Sequence, residues 1–373
     1  MENSTLPALT PAHKGIFLSI WLFAVAMNYL SAIVMGRTMY MKKIWPNIFI
    51  FALSANDLSC LIGGLLPAVI AIFSNQLLKR LTQLCQYQAF FLNMTNLSSM
   101  TLVVCISLDR YVAVGHPFYY NRRIAKGGGA AVVSALLVLF ACIIVAISAM
   151  PLALGVGYTI VGPGTYCFFD WGQRQTRARA VALTNLSLGL LLITVVLYLT
   201  IGVCSHLYRM VKDRGIDTYN SSVQAEIYFL KLTVIIGVTF SACTLPLLVT
   251  IAVHQGIGYG DTDVGYIVLS VQFLNSAINP ILYAAARPAT RRGYIEMFKW
   301  TFYFLICCWK RARPLKSFDK VIGVAKRSAS AVASNAPAAV AGRMVQKQAF
   351  SVKASTEQQN EDMHLEKITV QNV

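Results

Sequence analysis

Apolar residues along this chain gather into seven long runs, at about 15–37, 47–73, 83–108, 130–154, 180–208, 227–254 and 264–286. Shorter polar stretches rich in Lys and Arg separate them. Each run is long enough to cross hydrocarbon as a helix, and only helices or closed barrels satisfy their own backbone groups there. The pattern predicts an all-α membrane protein: a seven-transmembrane helix bundle over 15–286, preceded by an extracellular N-terminal tail over 1–14. The stretch 287–308 carries Ile295, Phe298 and Phe302 at helical spacing and predicts a short amphipathic eighth helix. From 309 to 373 the chain is polar and Ala/Ser-rich, which predicts a disordered cytoplasmic tail with exposed kinase sites. The third run carries a ruler of its own. Arg110 lies 25 positions after Cys85, roughly 37 Å along a helix, so a cysteine at one membrane face and Asp109-Arg110-Tyr111 at the other share one helix.

Composition agrees with the pattern, since 56% of the 373 residues are hydrophobic and only 13% charged. Charge then orients the bundle. With the N-terminus outside, the outer segments hold Lys14, Lys79, Arg80, Arg174 and Arg177. The inner loops hold Arg37, Lys42, Lys43, Arg110, Arg122, Arg123, Lys126, Arg209, Lys212 and Arg214. That excess, with the basic run from Arg287 to Arg327, predicts a C-terminus inside. The net charge of +17 reads as a membrane-surface term rather than as nucleic-acid binding, because the charges flank apolar spans. The first fourteen residues are short and polar, so the first span is expected to act as its own insertion signal. Asn3-Ser4-Thr5 is a glycosylation sequon on the outer tail; those at Asn93, Asn96 and Asn185 fall inside spans.

Most of the nine cysteines are scattered singly in spans and read as small buried apolar residues. Cys85 and Cys167 differ, both falling at the outer face, where a disulfide would tie the long second outer loop to the third helix. Cys307 and Cys308 follow the amphipathic stretch in a basic segment, and read either as palmitoylation sites or as unmodified interfacial cysteines. The five histidines are isolated in different segments, so neither a metal site nor a catalytic triad is expected.

Seven spans with Asp109-Arg110-Tyr111 ending the third, Asn279-Pro280-Ile281-Leu282-Tyr283 closing the seventh and paired outer cysteines resemble rhodopsin-like (class A) G-protein-coupled receptors. Asn28, Leu53-Ser54-Ala55-Asn56-Asp57, Pro117 and Pro246 fit the same pattern in the same order. A narrower likeness lies in Gly162-Pro163-Gly164-Thr165-Tyr166-Cys167-Phe168-Phe169-Asp170-Trp171, Cys243-Thr244-Leu245-Pro246 and His116-Pro117-Phe118-Tyr119-Tyr120, which are similar to segments of prostanoid receptors, those for prostaglandin E among them. The departures matter as much. Prostanoid receptors carry an arginine for the ligand carboxylate nine residues before the Asp/Asn of the seventh-helix motif, and here that position is Ser270.

Asp57 is an ionisable group in mid-span, a placement costing at least about 2.5 kcal/mol, and so marks function. With oxygens from Ser99, Asn275 and Asn279 it makes a sodium pocket, as the resemblance also implies, or else a hydrogen-bonded structural aspartate. Arg110 has candidate partners in Asp109 and in Glu226 at the start of the sixth span, and no other cross-helix partner is evident. Glu226 reads as a tether between the third and sixth helices, or as a solvated helix-start acid. Pro246 and Pro280 supply kinks about which the inner halves swing, bringing Tyr283 toward Arg110. In the outer half Leu92, Thr95, Thr244, Ser270, Phe273 and Leu274 are candidate pocket residues, apolar or weakly polar, and Thr165 beside Cys167 is the one head-group contact retained from the resemblance. Arg174, Arg177 and Arg179 are candidate substitutes for the missing arginine, whereas a neutral ester or amide head needs none.

The resemblance implies a prostanoid-like receptor, not an enzyme. It would bind a small lipid outside, activate a heterotrimeric G protein with a rise in cyclic AMP, and meet receptor kinases and arrestin at its tail. The rivals are a class A receptor for a neutral lipid or peptide, and a seven-helix transporter or channel. The latter calls for inverted repeats or broken helices, and the sequence displays neither.

Overall fold

The computed structural model describes residues 10–41, 45–74, 82–120, 122, 130–161, 166–214, 221–257 and 262–306. Asn3, Thr165, Cys307, Cys308 and the tail lie outside them. Helix α1 runs Pro11–Met41. The second span is α2 (Trp45–Ser59), a π-helical turn (Cys60–Gly64) and α3 (Leu66–Phe73). Pro67, at the start of α3, has no N–H to give back to the preceding turn. The Leu65 N–H instead reaches the Cys60 carbonyl at 3.0 Å, the wider π-type bond.

The third span, α4 (Thr82–Gly115), is followed by the single turn α5 (Pro117–Tyr119) and by α6 (Ala130–Ala153). A hairpin of β1 (Tyr158–Val161) and β2 (Tyr166–Phe169) leads to α7 (Thr176–Arg214), α8 (Ser221–Gly256), α9 (Thr262–Ala286) and the eighth helix α10 (Pro288–Ile306). Seven of these spans are long and apolar enough to cross a bilayer. In α10, Tyr294 and Met297 pack on Val34 of α1, while Ile295 and Phe298 face outward, as an amphipathic helix lying along a membrane would place them.

Helix α4 is the axis of the bundle and touches α2, α6, α7, α8 and β2. Its buried residues recur every three or four positions from Cys85 through Gln88, Leu92, Thr95, Ser99, Val103 and Ile106 to Arg110. One face is thus covered along the whole length.

At one end β1 and β2 pair antiparallel, Ile160 opposite Cys167 and Val161 opposite Tyr166. The hairpin is bound to α4 twice. Cys167 is disulfide-bonded to Cys85, with Cα atoms 5.2 Å apart. The Cys167 N–H also donates to Gln88 Oε1 at 2.9 Å, while Gln88 Nε2 donates to the Gly64 carbonyl of the π turn at 3.1 Å. Four aromatic residues of this segment, Tyr166, Phe168, Phe169 and Trp171, turn inward and are buried with residues of the second, third, sixth and seventh spans.

Gln88 therefore joins hairpin, third span and second span through one buried amide. Replacing it by Leu leaves a carbonyl and an N–H unpaired in a dry site, at a cost of about 2–4 kcal/mol for the two groups. The Gln88→Leu receptor should melt several degrees below its parent with the disulfide intact; an equal midpoint would remove Gln88 from this role.

Candidate functional site

The middle of the bundle is polar. Asp57, with no exposed surface, accepts hydrogen bonds from Ser276 Oγ at 2.9 Å and Asn279 Nδ2 at 2.7 Å, both on α9. Asn28 Nδ2 on α1 donates to the Ser276 carbonyl at 2.9 Å. Asn56 Nδ2 donates to Ser99 Oγ at 2.8 Å and to the Thr95 carbonyl at 3.0 Å, and Gln272 Nε2 to Asn96 Oδ1 at 2.7 Å. These amides and hydroxyls tie the first, second, third and seventh spans together at one level.

Of the expected carboxylate partners, Asn279 stands at Asp57. Ser99 takes the amide of Asn56 instead, and Ser276, which the sequence reading missed, occupies the second position. Asn275 presents a buried Oδ1 that no donor meets. A carboxylate bonded by Ser276 and Asn279, with an unsatisfied amide oxygen one residue from Ser276, has the donor chemistry of a hard monovalent cation.

Toward the hairpin two cavities open. One, about 20 Å³, is lined by Cys60, Leu92, Thr95, Asn96, Ser99, Phe168, Leu247, Leu269, Gln272, Phe273, Asn275 and Ser276. The other, about 100 Å³, lies against the hairpin, α8 and α9, with Phe169, Trp171, Thr250, Ile251, His254 and Val268 in its wall. Phe168, Leu247 and Leu269 line both and form the partition between them. Each is smaller than the roughly 300–1,000 Å³ of a typical ligand site. A lipid-sized occupant needs the partition to move.

Leu92, Thr95 and Phe273 stand in the first wall as expected. Thr244 is fully buried but lines neither cavity, and its hydroxyl has no hydrogen-bond partner among the described residues. Leu274 is 46% exposed and faces out of the bundle, a correction to its placement in the pocket. Ser270 Oγ bonds back to the Tyr266 carbonyl at 2.8 Å and lines neither cavity. Tyr266, Ser270 and Phe273 share one face of α9, and the Tyr166 ring packs over it, 5.5 Å from Tyr266 and 5.4 Å from Phe273. Burial pushes the Tyr166 phenol well above its ordinary range, so it stays neutral. Arg174, Arg177 and Arg179 are all exposed and line neither cavity.

At the opposite end Arg110 binds Asp109 Oδ2 through Nε at 2.9 Å and Nη2 at 2.6 Å, and Tyr120 donates to Asp109 Oδ1 at 2.8 Å. Tyr111 packs on Tyr198 and His206 of α7. The backbone of Glu226 lies in α8, but its side chain is outside the described structure. A different cross-helix partner is present. Phe229 of α8 has the Arg110 guanidinium 5.4 Å from its ring centroid and that of Arg287 at 4.0 Å. Arg287 Nη2 also donates to Asn47 Oδ1 of α2 at 3.4 Å. Burial, and then the charge of Arg110, pulls Arg287 down to about 10, which leaves it a cation at neutral pH. The sequence reading missed this clamp because a Phe in a span reads as core. Tyr283 is fully buried with no hydrogen-bond partner for its hydroxyl among the described residues, and Pro246 and Pro280 lie inside α8 and α9.

A bundle of seven membrane-length helices, roofed at one end by a disulfide-bound hairpin and closed at the other by an Asp-Arg pair and a helix-spanning clamp, is the architecture of a seven-helix membrane receptor. The profile of the family described as "7 transmembrane receptor (rhodopsin family)" matches residues 27–283. The chain belongs to that family. It is 30% identical over 254 residues to the prostaglandin E2 receptor EP2 subtype of Rattus norvegicus and 29% identical over 253 residues to that of Homo sapiens. Each match spans 61% of this chain and 66% of the relative, just short of two thirds of its length. The prostacyclin receptor of Mus musculus is 25% identical, over 61% of this chain and 53% of its own. Squid rhodopsin superposes with a TM-score of 0.57 at 18% identity, covering 86% of this chain and 95% of its own, and so shares the fold.

The Phe229 clamp makes a conformational prediction. Two partly desolvated cation–π contacts hold α8 with roughly 1–2 kcal/mol, so Phe229→Ala should raise the population with α8 swung outward by roughly tenfold. Distances between spin labels on the Arg110 ends of α4 and α8 would report it; an unchanged distribution would reduce Phe229 to packing.

Proposed function

We propose that the chain is a plasma-membrane receptor with its N-terminus and hairpin outside, which takes a small, largely apolar lipid beneath the hairpin and activates a heterotrimeric G protein at the Arg110 end. The observation that carries the ligand class is the character of the two cavity walls: mostly apolar and aromatic side chains interrupted by hydroxyls and amides, with His254 and Asp170 in the second wall and no Lys or Arg among the described lining residues. An acidic lipid would bury its carboxylate there without a Lys or Arg to pair with it, and Asp170 beside His254 in the second wall would repel it. A neutral head such as an ester or amide meets no such cost, which favours a neutral relative of the prostanoids over a free acid.

Signal transfer follows from the bundle's connections. An occupant must displace Phe168 and Leu269, and Leu269 stands on the same helix as Ser276 and Asn279, which hold Asp57. Sodium, held by Asp57 and the oxygens of Ser276, Asn279 and Asn275, would favour the closed packing; its ligation supplies only charge compensation. Release of the Phe229 clamp and of any Glu226 tether then frees the Arg110 end for a G-protein segment, as Pro246 and Pro280 let the half-helices swing. By likeness to the prostaglandin E2 relatives the coupling is stimulatory. Glycosylation at Asn3, palmitoylation at Cys307 and Cys308, and kinase and arrestin contact at the tail belong to the same reading.

A cyclic AMP and calcium screen of prostanoid acids against their esters and amides tests it. Neutral members should raise cyclic AMP at lower concentration than the acids; silence of the receptor toward every lipid would overturn the assignment. Sodium should lower basal cyclic AMP in the parent and not in Asp57→Asn. Equal sodium sensitivity would place the ion elsewhere.

A further inference from the structure

The first cavity contains a buried acceptor that nothing in the described chain satisfies. Gln272 is 7% exposed, and its Nε2 donates to Asn96 Oδ1 at 2.7 Å. That bond fixes which end of the amide points where. Oε1 has no partner, and Gln272 is part of the cavity wall. An unmet buried carbonyl costs on the order of 1–3 kcal/mol, and none of the hydroxyls and amides in the same wall, Thr95, Ser99, Asn275 and Ser276 among them, donates to it. The space of about 20 Å³ suffices for one water. What the site lacks is a donor, not a charge.

We propose that Gln272, oriented by Asn96, is a subsite for a hydroxyl group on a neutral oxygenated lipid, whose O–H donates to Oε1 in place of a water. This rests on the lipid-receptor reading above and adds a required functional group to it. The unpartnered Oε1 is the negative end of the amide dipole, so the subsite accepts a donor and turns away a carboxylate. The apolar neighbours hold the carbon chain on either side of the hydroxyl. The pair also joins α4 to α9, and Gln272 lies four residues, about one helical turn, before Ser276. A hydroxyl on Oε1 therefore sits next to the network that holds Asp57.

The test uses the full-length receptor in lipid nanodiscs with three probes: prostaglandin E2 methyl ester, the same ester with both hydroxyls replaced by hydrogen, and the free acid. Thermal midpoint and half-maximal concentration are read for the parent and for Gln272→Met, which keeps length and volume. In the parent the hydroxylated ester should bind about tenfold more tightly than the deoxygenated one, the worth of one buried hydrogen bond. In Gln272→Met the two esters should bind alike, with the deoxygenated ester at its parent affinity, which shows the site still folded. Equal binding of both esters by the parent, or a preference that survives in Gln272→Met, overturns the subsite and leaves the lipid reading standing. If no probe moves the parent's midpoint, the lipid reading falls and the subsite with it.

Discussion

A carboxylate with no exposed surface in the middle of the bundle sets the terms for the rest of the structure. Asp57 cannot be left unpaired in hydrocarbon without a cost of several kcal/mol, and its donors, Ser276 and Asn279, both come from the seventh span. That pairing fixes the depth and rotation of α9 against α2. Asn28 then fixes α1 through the Ser276 carbonyl, while Gln272 and Asn96 fix α4. Rotating any of these helices by one residue, about 100°, would strand a polar group against lipid.

The two ends answer to different physics. Beneath the hairpin, polar contacts are few and specific, and buried aromatic area dominates. A disulfide and the Gln88 amide hold the hairpin at the third span, while movable rings fill the space below. At the Arg110 end the groups are charged. Arg110 and Arg287 carry like charges, and the Phe229 ring between them lets both approach the sixth span, since the face of an aromatic ring attracts a cation. Asp109 neutralises Arg110 locally, and Tyr120 completes the carboxylate's bonding.

The spans, the eighth helix, the disulfide and the Asp57–Asn279 pairing were legible in the sequence because each rests on a linear signal. Apolar run length, helical spacing and the positions of two outer cysteines survive without coordinates. What failed depends on rotation about helix axes and on side-chain reach. Leu274 is adjacent to Phe273, yet that single step turns it out of the bundle. Ser99 lies at the right depth for Asp57 but meets Asn56 first. Gln88, Gln272 and Asn96 read as isolated polar residues in apolar runs, and only packing shows that two helices place their amides within reach. Phe229 carried no signal, because a cation–π partner looks like any core aromatic.

Tyr166 brings the reasoning to the feature that most separates this chain from the prostanoid receptors it resembles. Where those carry an arginine, Ser270 lies on a face of α9 that the Tyr166 ring covers, between Tyr266 and Phe273. A guanidinium there would have to displace a fully buried aromatic residue or be desolvated beneath it, and either cost exceeds what one ligand carboxylate returns in a surface-like pair. A serine at 270 and the inward packing of Tyr166 are therefore mutually compatible where an arginine would not be. With the charge gone, affinity must come from apolar area and a few neutral hydrogen bonds, and the acceptor left open at Gln272 lies where such a bond has an apolar surround to strengthen it.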